Sequence, residues 1–156
     1  MIQKLINSIF KNTNIFYFFR NLVHNNFIKE ISIVSRELSL NKKTLDFGCG
    51  IGQYSILFNK DNYLGIDVNK DNIEYAKRRF DREFKQIKNI KDIKNKFDQI
   101  LSIMTFHHIN DNELKDIFSK LKNILKNNGK LLIIDHLEVN SQPNIIGKFM
   151  LSKDRG

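Results

Sequence analysis

Two acids and a run of alternating glycines are the residues of this sequence with the types and spacing to do chemistry. Asp46 interrupts the apolar run Thr44-Leu45-Asp46-Phe47, and Gly48, Gly50 and Gly52 follow at alternate positions. Asp67 closes a second apolar run, Tyr63-Leu64-Gly65-Ile66-Asp67, at about the 20-residue interval expected of an acid that accepts from both ribose hydroxyls. Glycines placed this way let the backbone take positive φ and approach a ligand with no Cβ between them. Cys49, set between two of them, reads as a spacer, because a thiol nucleophile needs a base beside it.

The ligand class follows from charge. A phosphate-binding G-x-G-x-x-G fingerprint would put its third glycine at position 53, which is Gln53. Asp46, two residues before the first glycine, would repel a pyrophosphate but attract a ligand carrying an ammonium and a sulfonium. S-adenosylmethionine is such a ligand.

With these two motifs in place, the chain resembles the class I S-adenosylmethionine-dependent methyltransferases from Thr44 onward. Asp46 to Gly52 look like the first motif of that family, and Asp67 looks like its second-strand acid. The resemblance implies an α/β fold, a Rossmann-like three-layer sandwich with a mainly parallel sheet of order 3-2-1-4-5. It also implies Asp46 at the methionine end, backbone contacts at Gly48, Cys49 and Gly50, the ribose clamp at Asp67 with Val68 beside it, and Ser102 to Met104 as the wall near the adenosine. Family members usually carry an acid just after the third strand for the adenine amine. This chain reads Gln86-Ile87-Lys88-Asn89 there, so Gln86 is the expected substitute and Asp92 a more distant one.

The elements that must hold these residues are legible as alternating strands and helices, which imply parallel strands joined by right-handed crossovers. A helix is expected from about Gln53 after the glycine turn. Another should follow Asp67, capped by Asn69, with Asp71 and Glu74 early and Lys77 to Arg79 late, as the helix dipole favours. Phe84 to Ile87 reads as a short strand and Phe97 to Met104 as a longer one. Asp111 is the expected cap of a helix carrying Leu114, Ile117, Phe118, Leu121, Ile124 and Leu125 on one face. Asn127-Asn128-Gly129 should end it, with glycine in the left-handed position, before a strand from Lys130 to Asp135.

Upstream, Phe27, Ile31, Val34 and Leu38 share a helical face, and Ile2 to Phe10 repeat at helical spacing. Residues 1–40 therefore read as a helical cap, a lid or a packed helix, on a domain spanning 41–156. Tyr17 and His24 read as core or surface residues. Against the usual seven strands of the resembling family, two are missing, and Ile145 to Met150 suggest one last helix. That expectation leaves strand five as an edge for a second copy or a partner to cover.

Composition narrows the rest. At 156 residues and 41% hydrophobic content the chain fits one domain with a real core. Its net charge of +9 is spread among Asn and Ile with no basic block, and with Pro143 as the only proline there is no Pro-Pro base-flipping signature, so no nucleic acid is expected. Lys4, Lys11 and Arg20 break the apolar start, excluding stable membrane insertion there. One cysteine points to a reducing, cytoplasmic setting, and no export signal is apparent. The adjacent His107 and His108 do not suggest a metal, since sequential residues rarely ligate one ion from the same side. His107 is the one expected in the pocket, as general base or substrate donor. The function expected is methyl transfer from S-adenosylmethionine to a small-molecule or glycan-related acceptor. The alternatives are a non-catalytic S-adenosylmethionine-binding protein that needs a partner and an NAD-binding oxidoreductase, the latter disfavoured by Gln53 and Asp46.

Overall fold

The computed structural model describes residues 27–135. The segments before Phe27, with Tyr17 and His24, and after Asp135, with the expected closing helix, lie outside them. The elements are α1 (Ile28–Glu37), β1 (Thr44–Phe47), β2 (Tyr63–Asp67), α2 (Lys70–Arg79), β3 (Glu83–Gln86), β4 (Phe97–Ile103), α3 (Asp111–Ile124) and β5 (Leu125–Ile134). The sheet runs β3-β2-β1-β4-β5 with every pair parallel, the order expected from sequence.

Strand alternation sorts the side chains into two apolar layers. Leu45, Leu64, Ile66 and Ile100 point to one face, where Leu121 and Ile124 of α3 cover them. Tyr63, Leu101 and Ile103 point to the other, against Val34 of α1 and Ile73 and Ala76 of α2. A ten-residue helix such as α1 is marginal alone. Its buried face holds it, since each large apolar side chain taken from water contributes about 1.5–3 kcal/mol.

The first crossover departs from expectation. The helix expected from Gln53 is replaced by two single 3-10 turns, Ser55–Leu57 and Lys60–Asn62. An α-helix would need the Asn59 N–H on the Ser55 carbonyl, but Asn59 donates to Leu40 at 2.9 Å. The Ser55 carbonyl accepts instead from Phe58 and from the Arg82 guanidinium. Asn59 then opens the second turn by accepting from the Asp61 N–H with its side chain.

Helix ends confirm one cap and correct two other readings. Asn69 caps α2, accepting from Asp71 and Asn72. The cap of α3 is Asn110 rather than Asp111, which is the first helical residue. Past α3 the left-handed residue is Asn128, φ +62°, not Gly129. Glycine is needed at 129 for space, since a Cβ there would sit 2.6 Å from Leu125, which begins β5 directly after the helix. β5 thus starts five residues earlier than Lys130, with an irregularity where Phe97 pairs Leu125 and Gln99 pairs Lys130.

Candidate functional site

The glycine turn is bolted to the tip of β2. Gly48 and Cys49 both donate to the Ile66 carbonyl at 2.9 Å, and the Gly50 N–H donates to Asp67 Oδ2 at 2.8 Å. The other oxygen of Asp67 accepts from the Asn69 N–H, also at 2.8 Å, so one carboxylate sets both the turn and the start of α2. Gly48, Gly50 and Gly52 all have positive φ. At Gly48 a Cβ would lie 2.3 Å from the Thr105 hydroxyl, whereas at Gly50 it would meet nothing within 4 Å. One glycine is required by packing, and the other leaves bare backbone facing open space.

Asp46 lies one strand over in a different environment. Alternation turns it to the α1–α2 face, opposite Gly65 of β2, where it is 1% exposed. The Tyr63 hydroxyl donates to it at 2.6 Å. Burial raises its pKa to about 7; the Tyr63 bond pulls the other way and the nearby Asp67 charge adds to the rise. Burial also pushes the Cys49 thiol and the Tyr63 phenol up, which leaves Cys49 an inert thiol. The charge expected of Asp46 is corrected here, because desolvation holds a proton on it across much of the range below neutrality.

Past β4, Met104 takes a left-handed φ of +55°, a conformation that costs a non-glycine residue about 1 kcal/mol or more. The swing seats Thr105 against Gly48. A short turn, Phe106–His108, follows. His107 Nδ1 and Asp135 Oδ1 share a hydrogen bond of 2.5 Å, and Asp135 Oδ2 accepts from the Phe106 N–H at 2.7 Å. The His107 and His108 rings lie 3.9 Å apart.

These tips enclose a cleft of about 820 Å³ at the carboxyl ends of the strands, where open α/β sheets bind ligands. Asp46, Gly48, Cys49, Gly50, Asp67 and Val68 line it, with Ile103 and Met104. Three expected residues do not. Gln86 is exposed, and its amide donates to the Val68 carbonyl. Ser102 is fully buried and donates to the Phe47 carbonyl. Of the two histidines it is His108 that lines the cleft, because Asp135 draws His107 aside. Ile87 to Ile90 line the cleft beyond β3, as do Glu113, Asp116 and Ile117 of α3.

Sequence reasoning passed over Tyr63, Thr105, Asp135 and the site role of Gln53. Asp135, the acid that closes the fifth apolar run as Asp67 closes the second, carried a readable signal; the others are set by contacts distant in sequence. Gln53 lines the cleft, and its Oε1 is buried with no hydrogen-bond partner. A buried acceptor left this way costs about 1–3 kcal/mol. Among the described residues no cluster of three or more metal-ligating side chains occurs, and no helix is long and apolar enough to cross a membrane.

Comparison with known proteins adds three findings. Residues 38–153 match the model of a family described as a methyltransferase domain. An uncharacterised methyltransferase of Schizosaccharomyces pombe is 29% identical, over 58% of this chain and 37% of its own length, so the chain spans little more than a third of that relative. Among solved structures, the cyclopropane synthase MmaA2 from Mycobacterium tuberculosis superposes with a TM-score of 0.60 at 24% identity, covering 68% of this chain and 41% of that one. PKMT2 from Rickettsia typhi, solved in complex with AdoHcy, gives a TM-score of 0.52 at 28% identity over 59% and 20%.

Proposed function

The chain belongs to the methyltransferase-domain family, and on that premise we propose that it transfers a methyl group from S-adenosylmethionine to a small-molecule or glycan-related acceptor. The observation that carries the reading is the Gly50–Asp67 strap, which holds bare backbone and a carboxylate together at the mouth of one cleft. The residues present fit the cofactor. Gly50 leaves room for a close approach, and the cleft wall holds a buried acceptor that lacks a donor.

Bound there, the cofactor supplies an already activated methyl on a sulfonium, so the protein's work is mainly to position the acceptor in line and keep water out. The backbone at Gly48 to Gly50 is proposed to bear the methionine end. The Asp67 oxygens keep acceptor capacity for ribose hydroxyls beyond the two amides they already serve. Ile87 and Ile90 supply an apolar rim for the adenine, a role the exposed Gln86 does not fill. An acceptor that carries a proton would meet His108 first, with His107 tilted against it and bonded to Asp135.

Isothermal titration tests the reading. S-adenosylmethionine and S-adenosylhomocysteine are expected to bind and NAD not to; tighter binding of NAD would reverse the conclusion. Methyl transfer to hydroxyl-bearing acceptors, assayed once binding is in hand, separates an enzyme from a non-catalytic binding protein.

A further inference from the structure

Gln53 directly follows the last glycine of the turn, and the local backbone is fixed on both sides of it. Gly52 donates to the Cys49 carbonyl, and Ser55 donates back to Gly52, both at 3.0 Å. The next residue, Tyr54, is buried edge-on against Phe27. The side chain of Gln53 reaches the cleft wall, yet its amide oxygen meets no donor. Native structures leave few such atoms, and a donor on a ligand in the cleft would satisfy this one.

Two of the other acceptors on this side of the cleft have work of their own, Asp67 keeping its remaining capacity for the ribose hydroxyls assigned to it above. Asp46 takes the Tyr63 hydroxyl inside the α1–α2 face, and Asp67 takes the amides of Gly50 and Asn69. The ligand proposed above offers three kinds of donor: an ammonium, ribose hydroxyls and an adenine amine. The ribose and adenine fall to the β2–β3 side, where Asp67, Val68 and Ile87 to Ile90 stand. The glycine turn is left with the amino-acid end.

We infer that Gln53 receives the ammonium group of the cofactor's methionine through its side-chain amide oxygen, and so helps select an intact amino-acid tail. The inference rests on the S-adenosylmethionine reading and deepens it. An uncharged amide suits the place: it accepts from a cation without adding a third acid beside Asp46 and Asp67, where another anion would be costly to bury.

The test is titration of S-adenosylhomocysteine and of its deaminated analogue, which keeps the carboxylate, into the wild-type chain, Gln53→Met and Gln53→Glu. Gln53→Met is expected to weaken S-adenosylhomocysteine about tenfold, or about 1.4 kcal/mol, and to leave the deaminated analogue within about twofold. Gln53→Glu, which keeps an acceptor, should retain S-adenosylhomocysteine binding while melting lower than wild type when ligand-free, since its added charge is costly to bury. Melting of the ligand-free Gln53→Met protein should be no lower than wild type, because the substitution removes an unpaired buried atom. Equal losses for the two ligands would assign Gln53 to the shape of the turn, and no loss for either would remove it from the site; each result overturns the inference alone. Failure of the wild-type chain to bind either ligand would instead sink the cofactor reading, and this inference with it.

Discussion

Asp46 and Asp67 stand on adjacent parallel strands and read alike in the sequence, an acid near the end of a short apolar run, yet the fold gives them opposite work. Asp46 points into the α1–α2 layer at 1% exposure, bonded to Tyr63. Asp67 stands at the mouth, and its two oxygens hold the Gly50 and Asn69 amides. Burial disfavours the charged form of Asp46 and raises its pKa to about 7, the single Tyr63 bond offsetting only part of the rise. The lesson is that residue type and spacing locate a strand tip but leave the ionisation of its acid open.

The comparison breaks most visibly with pH. In the fold the Asp46 carboxyl releases its proton only near pH 7, while in the unfolded chain it does so near 3.8. Between these values the folded state binds the extra proton, so stability from this group is fullest below pH 4, falls as pH rises through the window, and is level above 7. The expected fall is on the order of 4 kcal/mol, measured by urea unfolding at a series of pH values. Asp46→Asn should flatten the curve and exceed wild type at pH 8. An unchanged slope would mean that Asp46 ionises normally in spite of its burial.

Next in size is the loss of the strap. Asp67→Ala frees two backbone amides and is expected to weaken S-adenosylhomocysteine by about a hundredfold, given about 1.5–3 kcal/mol for each hydrogen bond to a charged group. Asp46→Asn, which can still accept from Tyr63, should weaken it far less. Titration of both variants reads the difference directly, and equal losses would erase the distinction between an interior acid and a binding one.

The glycines between the two acids sharpen the contrast further. Gly48→Ala meets both a positive φ and Thr105, and should cost about 2–3 kcal/mol of stability. Gly50→Ala meets only its positive φ, about 1 kcal/mol, but places a methyl where the ligand would lie. Thermal melts should therefore rank Gly48→Ala as the more harmful, and ligand titration of the folded fraction should show a clear defect in Gly50→Ala.

Much of the fold was legible because its signals are local. The capping of α2 needs only Asn69 and the two residues after it, and the strand order follows from apolar runs alternating with helical patterns. Apart from the one-residue shift of the α3 cap to Asn110, the failures share a cause, since each turned on a partner far along the chain or on space that only packing defines. The helix after Gln53 gave way because Asn59 found Leu40 and the Ser55 carbonyl found Arg82. Gly129 serves Leu125 rather than a left-handed turn, and Gln86 turned to Val68 and out of the cleft. Within the site, His107 lost its place to His108 through Asp135, 28 positions away.

By itself the sequence determined the parallel sheet, the glycine turn and the acids at the tips of β1 and β2, because strand periodicity and glycine's backbone freedom are written residue by residue. Only the tertiary structure decided that Asp46 is buried and holds its proton toward neutrality, which histidine faces the cleft and which amide oxygen is left without a donor. Those outcomes depend on desolvation and on partners brought together across the chain, as with Tyr63 and Asp46, 17 positions apart, and neither quantity exists until the layers have packed.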